Sequence, residues 1–598
     1  MNIKERIKTN NAEKLILRFF TALFISSVLF MIIAFPVPFD NAVFFRRVPF
    51  IPFIASLLGF YAVLCVVFTF VNSLKIERFI LLLTYTVYAV FTAFETTDIW
   101  FSFGAALVLL FICVYVFKDG FAPALQRDVP RGVLIAAAVS AGLYFAVFVG
   151  VQTVCRYLTH STPNYDFGIF SQMFYYMKTT LLPLATSERD ALMSHFAVHV
   201  SPIYYLFLPF YAIFPSPATL MVCQAVFLAS GVLPVVMLCK KLGLSNKAAC
   251  AFSLIYALYP ALAGGCFYDL HENKMLAPLL LWLFYFIVKD KWYGVAVFSV
   301  LVLLVKEDAA IYVIFAGLYV LISAKKRGKF KGLYMILLSI AYFITVTVLL
   351  NKFGEGTMDE RYANYMTTSQ DTLLTVISNI IKDPAYVVRQ MFDSTADAAA
   401  ENKIEFMLRM FIPLGFLPFI TKKLSRYVLF LPLVLINLMS DYVYQHGIFF
   451  QYTYGPLAFL FFAAIINYAD LSDKLKRTLG TYAAIATVII CAQSVWQRAN
   501  YFESYLLQKE RFDAVRTAIY SIPEDAAVGA TTFYCAPASQ RRELYEIRYT
   551  EHKDELDYVI LDLRIPEGTN FVPEYENDPD FTVYYRLDDW VVIYKRLN

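Results

Sequence analysis

Asn164-Tyr165-Asp166-Phe167-Gly168, Ser187-Glu188-Arg189-Asp190 and His195-Phe196-Ala197-Val198-His199-Val200-Ser201-Pro202-Ile203-Tyr204-Tyr205 all fall in one stretch, residues 164–211, between strongly apolar segments. They hold two acidic clusters, two of the chain's six histidines and an aromatic-rich short segment. Ionisable groups beside a bilayer are costly and mark functional sites. We therefore read this stretch as the floor of an active site at the outer membrane surface.

The surrounding composition supports a membrane setting. Of 598 residues 59% are apolar and 16% charged. Apolar runs of about 18 residues or more recur from Leu15 to Val495, each able to cross about 30 Å of hydrocarbon. A net charge of +4 gives no case for nucleic acid, and the basic residues sit in short clusters between apolar runs, as in cytoplasmic loops. Eight of the nine cysteines lie in or beside apolar segments, with Cys535 apart, and no CxxC pair suggests redox or zinc chemistry. Leu15–Val37, preceded by Lys4, Arg6, Lys8 and Lys14, is too long for a cleaved signal and reads as a retained helix.

Charge parity sets the topology. A cytoplasmic N-terminus and alternating basic clusters bring a fifth span, about 132–155, to the outside, while Lys240-Lys241 must lie inside. Only about 219–238 is long enough to connect them. The run 201–214, about 14 residues or about 21 Å as a helix and bounded by Pro202 and Pro215, reads as an interfacial helix with Tyr204, Tyr205 and Tyr211 at headgroup depth. Residues 156–217 are then one outer loop. Lys289 and Lys291 share a side with Lys325-Lys326-Arg327 only if the chain turns back at Lys306-Glu307-Asp308; a single crossing with three charges near mid-membrane is the competing reading, and it would invert everything downstream. A second outer loop covers 351–403, a third Asp441–His446, and about 15 crossings leave the C-terminus extracytoplasmic.

Three parts follow: extra membrane helices over 1–131, a membrane core over 132–497 and a small soluble domain over 498–598. In the last, a helix at Phe512–Tyr520 and strands at 526–530, 557–561, 583–587 and 590–594 predict an α/β domain. It carries no nucleotide-binding glycine pattern. The expected fold is mostly α, a polytopic helical membrane protein with a small C-terminal α/β domain.

Under this topology Asp166, Glu188, Asp190, His195, His199, Asp269, His271, Glu272, Lys306, Glu307, Asp308 and His446 gather at one end of the bundle, flanked by Tyr165 and Tyr204. Apolar neighbours would raise the Asp166 pKa toward the range of a general base, although Asp is also a common helix N-cap. His195 and His199, spaced i, i+4, would share a helix face. That spacing can bind a divalent metal or contact a phosphate or sugar, and leaves the metal unspecified. Asp269-Leu270-His271-Glu272 either lines a cavity or forms a solvated turn. Lys306 is either a fixed cation for phosphate or the internal partner of Glu307 or Asp308.

Asn164-Tyr165-Asp166-Phe167-Gly168-Ile169-Phe170, the His195–Tyr205 run, Phe267-Tyr268-Asp269-Leu270-His271-Glu272 and Val305-Lys306-Glu307-Asp308 resemble the polytopic membrane proteins of domain-of-unknown-function family 2079, over about 157–470. The first four spans stand outside the resemblance. More distantly, the layout is similar to GT-C glycosyltransferases of the protein-mannosyltransferase and aminoarabinose-transferase type. Asp166 matches their Tyr-Asp-Glu-like acidic position. His199-Val200-Ser201-Pro202-Ile203-Tyr204-Tyr205 matches a His-x-Pro-Pro-Leu-Tyr-Tyr-like helix with Ser for the first Pro, and Lys306 matches a Lys-Gly-Pro-like motif with Glu307-Asp308 in place of Gly-Pro. The resemblance implies transfer of a sugar from a polyprenyl-phosphate donor to an extracytoplasmic acceptor, with Asp166 as base and Lys306, with His195 or His199, on the donor phosphate. A transporter or flippase for a lipid-linked substrate, or a non-catalytic membrane scaffold, are the competing expectations.

Overall fold

The computed structural model describes residues 12–119, 127–355, 360–368, 371–393 and 402–597, so the expected N-terminal basic cluster Lys4, Arg6 and Lys8 lies outside the described residues. Among those described, ten helices are long and apolar enough to cross a bilayer: Ala12–Ala34, Phe50–Val71, Leu74–Glu95, Ile99–Phe117, Arg131–Leu158, Pro217–Lys241, Asn246–Tyr268, Lys329–Phe353, Gln451–Asp470 and Asp473–Leu507. Shorter apolar helices lie at four other expected crossings, Leu276–Lys289, Trp292–Leu303, Ala310–Ser323 and Leu424–Leu438. The crossing expected between the 351–403 loop and Lys422 is instead a nine-residue helix, Lys403–Phe411, and a 3-10 turn, Leu417–Phe419. The chain is a multi-pass helical membrane protein. The third and fourth of the ten helices pack on the last span through a cluster including Tyr85, Leu109, Tyr482 and Ile489, and the first packs against the second and third. A buried Arg18–Glu77 ion pair, 2.8 Å, ties the first of them to the third.

The chain does turn back at Lys306. Trp292, which starts one arm, meets Tyr334 with ring centroids 5.6 Å apart, and Lys331 pairs with Asp290. The next arm, Ala310–Ser323, folds against Lys329–Phe353, so the basic clusters at 289–291 and 325–331 end together. Two glycines allow that hairpin to close. A Cβ on Gly332 would stand 2.5 Å from the Gly317 carbonyl oxygen and 2.8 Å from the Leu321 nitrogen.

The segment expected as one interfacial helix is two pieces, a 3-10 turn at Pro202–Leu206 and a helix at Leu208–Ile213. Its tyrosines differ from expectation. Tyr204 and Tyr211 are fully buried, the first on Glu272 and the second on Gln540, whereas Tyr205 alone keeps a partly exposed ring. Their hydroxyls found buried protein partners, which a headgroup position would not have required.

In the outer loop Leu184–Ala185 (β1) and Met193–Ser194 (β2) form a two-residue antiparallel ribbon. The C-terminal domain is a five-stranded sheet of β3 (Val528–Ala530), β4 (Leu544–Glu546), β5 (Tyr558–Asp562), β6 (Phe581–Leu587) and β7 (Val591–Arg596). Its order is β4-β3-β5-β7-β6, with β4, β3 and β5 parallel and β5, β7 and β6 antiparallel. Four strands match the expected ones. β4 was not expected, because three residues are too few to display an alternation.

Replacing Gly332 by Leu should destabilise the protein by about 1–3 kcal/mol, since the clash is with backbone. Gly104→Ala, where a Cβ meets open space, should be neutral or stabilising by up to about 1 kcal/mol. Thermal unfolding in detergent reads both; equal midpoints for Gly332→Leu and wild type would refute the hairpin packing.

Candidate active site

Asp166 sits in a π-turn, Asn164–Gly168, that leads directly into the helix Ile169–Thr180. The turn is pinned from two directions. The Asn164 amide donates to Thr532 Oγ1 at 2.9 Å, and its side-chain nitrogen donates to Ser187 O at 3.1 Å and Glu546 Oε2 at 3.0 Å. Gly168 lets the turn press against the helix Thr532–Ala538, as a Cβ there would meet Asn164 Oδ1 at 2.3 Å and Cys535 Cβ at 3.1 Å. Asp166 caps no helix. Its carboxylate accepts a hydrogen bond from the Tyr268 hydroxyl, and burial, which outweighs that bond, raises its pKa to about 6.

The carboxylate faces a cavity of about 690 Å³. Tyr165, Glu188, His195, His199, His271 and Lys306 share its wall with Asp166, so side chains from five separate runs of sequence converge. His195 Nδ1 lies 2.9 Å from Glu188, and its Nε2 has no protein partner. His199 Nδ1 lies 2.9 Å from Glu307. The two rings are 6.0 Å apart but occupy no common helix, because the 3-10 turn ends at Ala197. Burial opposes charge on both imidazoles. For His195 the Glu188 carboxylate more than offsets this and its pKa rises; for His199 burial and Lys306 prevail and it falls.

Behind the wall lies a denser layer. Lys306, buried, pairs with Glu272 at 3.2 Å and not with its sequence neighbours. Glu272, with no exposed surface, also accepts from the Tyr204 hydroxyl at 2.6 Å and lies 3.3 Å from His271 Nδ1. Burial would raise the Glu272 pKa, yet His271 and Lys306 hold it below the usual carboxylate range. Burial likewise opposes charge on Lys306, and Glu272, Glu307 and Asp308 together raise its pKa. Asp269 is buried against Arg156 at 2.9 Å and held at φ +124°, a sparsely populated conformation that costs about 1–3 kcal/mol. The 269–272 run is therefore a buried support, not a solvated turn.

Seven expected site residues do not line the cavity: Tyr204, Asp269, Glu272 and Glu307 belong to the layer behind it, and Asp190, Asp308 and His446 are the other three. Asp190 binds the C-terminal domain, accepting from the Glu551 amide at 2.8 Å with His552 Nε2 2.9 Å from its carbonyl. Asp308 and His446 are not among the lining residues. Conversely, Arg361, Tyr268, Tyr442, Tyr444, Gln451 and Tyr452 line the cavity without having been singled out. Among the described residues no group of three or more His, Cys, Asp or Glu could hold a metal ion. A second cavity, about 700 Å³, lies beside Lys476 and Arg477 and is lined by no histidine, so it lacks the carboxylate–imidazole pairing.

The chain belongs to the family described as "predicted membrane protein (DUF2079)", which matches residues 157–583 and so takes in most of the C-terminal domain as well as the core. No curated protein sequence matches the chain. Among solved structures it is similar to ArnT from Cupriavidus metallidurans bound to undecaprenyl phosphate, at 10% identity over 78% of this chain and 98% of that one, TM-score 0.46. It is also similar to the arabinofuranosyltransferase AftD from Mycobacteria, at 11% identity over 79% of this chain and 40% of that one, TM-score 0.45.

Breaking the buried pair from one side, by Glu272→Gln or Lys306→Met, should cost about 3–5 kcal/mol, because one charge is left unpaired. The double variant should recover much of that loss. Denaturant unfolding of the four proteins measures the coupling; additive losses would show that the pair is not formed.

Proposed function

We propose that this member of the family is a membrane glycosyltransferase that moves a sugar from a polyprenyl-phosphate donor to an acceptor outside the cytoplasmic membrane. In this reading the N-terminus is cytoplasmic and the C-terminal domain extracytoplasmic. One observation carries it: a carboxylate with a pKa near 6 and a buried lysine face the same cavity.

The acceptor hydroxyl oxygen attacks the anomeric carbon as Asp166 takes the hydroxyl proton. The new carbon–oxygen bond forms as the bond from that carbon to the phosphate oxygen breaks, and the polyprenyl phosphate leaves with the electron pair. Negative charge grows on the leaving phosphate. Lys306, kept protonated by its carboxylate neighbours, is the cation that stabilises it, and His195, whose pKa Glu188 raises, offers its unpartnered Nε2 to the same phosphate. Because Glu272 neutralises part of the lysine charge beforehand, Lys306 acts as a fixed dipole-like clamp whose position is set by the buried layer. Such a donor carries its own activation energy, so the reaction runs without a nucleotide.

Purified protein supplied with polyprenyl-phosphate sugars should release polyprenyl phosphate and transfer or hydrolyse the sugar. Asp166→Asn should lower kcat by about 10²–10⁴-fold, the usual contribution of a general base. Because the ionised form of Asp166 is the active one, kcat/KM should fall as pH drops through about 6, well above the ordinary aspartate range. Wild-type turnover in both Asp166→Asn and Lys306→Ala would overturn the assignment. Passage of intact donor across liposomes without chemistry would replace the reaction by transport.

A further inference from the structure

Tyrosines crowd the open side of the cavity. Tyr165, Tyr442 and Tyr444 line it while keeping 57%, 39% and 43% of their surface exposed. Exposed tyrosines are ordinary in the interfacial belt of a membrane protein, but belt rings face lipid. These three line the same cavity as Asp166.

They are also held in place. The Tyr165 hydroxyl accepts from Arg548 of the C-terminal domain at 2.9 Å. The Arg548 guanidinium lies 5.6 Å from the Tyr165 ring and 4.3 Å from that of Tyr549, itself 58% exposed. Across the sequence, Tyr442 and Tyr444 meet edge to face with centroids 5.1 Å apart, and Arg361 lies 5.8 Å from the Tyr442 ring. Holding a large aromatic surface open to water in a fixed geometry has a cost that a ligand would repay.

The chemistry of that ligand follows from the wall. A sugar ring has a face of C–H groups, weakly positive and apolar, edged by hydroxyls. An aromatic face, negative at its centre, complements the first, and phenol and guanidinium groups hydrogen-bond the second. A lipid chain would instead call for aliphatic walls.

We infer that this rim is the acceptor subsite and that the acceptor is a saccharide, a reading that rests on the proposed sugar transfer. The hydroxyl delivered to Asp166 is then a sugar hydroxyl.

The test uses full-length protein in nanodiscs and a set of tetrasaccharides of glucose, mannose, galactose and N-acetylglucosamine, with binding read by saturation-transfer NMR. At least one should bind. Tyr442→Ala/Tyr444→Ala and Tyr165→Ala should weaken it tenfold or more, their Phe counterparts less than threefold, and Tyr293→Ala, in the helix Trp292–Leu303, 61% exposed and not lining the cavity, not at all. In wild-type protein the bound saccharide should protect Tyr165, Tyr442 and Tyr444, but not Tyr293, from nitration, a readout independent of whether the variants fold. Absence of binding by every tetrasaccharide, or binding with neither protection nor loss in the Ala variants, would overturn the inference. Saccharide binding without any sugar transfer would keep the rim site and remove the proposed reaction; transfer without saccharide binding would do the reverse.

Discussion

Glu272 is a carboxylate cut off from water, and the outer end of the bundle is built to make that tolerable. Taking one such ion out of water costs several kcal/mol even after relaxation. Here the Tyr204 hydroxyl, the Lys306 ammonium and the His271 ring surround it. Those partners come from three segments, the 3-10 turn after Pro202, the turn before Leu276 and the hairpin tip at Lys306. None can shift without exposing the charge, so the three move as one piece. Asp166, in the same region, has a poorer set of donors and is pushed the other way. Two acids with opposite shifts, one in the wall and one behind it, are what acid–base chemistry needs, one fixed as an anion and one able to trade a proton near neutrality.

Much of this was legible in the sequence because it rests on costs that a sequence displays. Three charges interrupting an apolar run at Lys306-Glu307-Asp308 favoured a turn over one crossing with charges at mid-membrane, and the hairpin is there. The proline-bounded run after Ser201 was too short to span, and it does not form a spanning helix. The pairings were less legible. Nothing local to Lys306 says that its partner is Glu272 and not Glu307, because that choice is made by how the helices pack. The histidine spacing suggested a helix face, whereas each ring is turned by a different carboxylate, one of them more than a hundred residues away.

The tyrosines were hidden for a different reason. In a chain with 17% aromatic residues a further Tyr carries no contrast, so His446 drew the eye in the loop where Tyr442 and Tyr444 reach the cavity. Arg361 lies in a loop without periodicity and was equally silent. Composition marked off the C-terminal domain but not what it docks against: Thr186 and Leu544 exchange hydrogen bonds, Gln172 donates to the Arg542 carbonyl, and Arg564 donates to the carbonyls of Thr159 and His160.

The bond from Asn164 to Glu546 joins residues 382 positions apart. A ribosome delivers the Asp166 turn long before it delivers the strand and helix on which that turn rests. A nascent chain therefore carries the carboxylate before its mount, and the turn is seated only once Thr532 and Glu546 have been made. Order of synthesis becomes a safeguard: no half-built copy in the membrane holds the finished constellation.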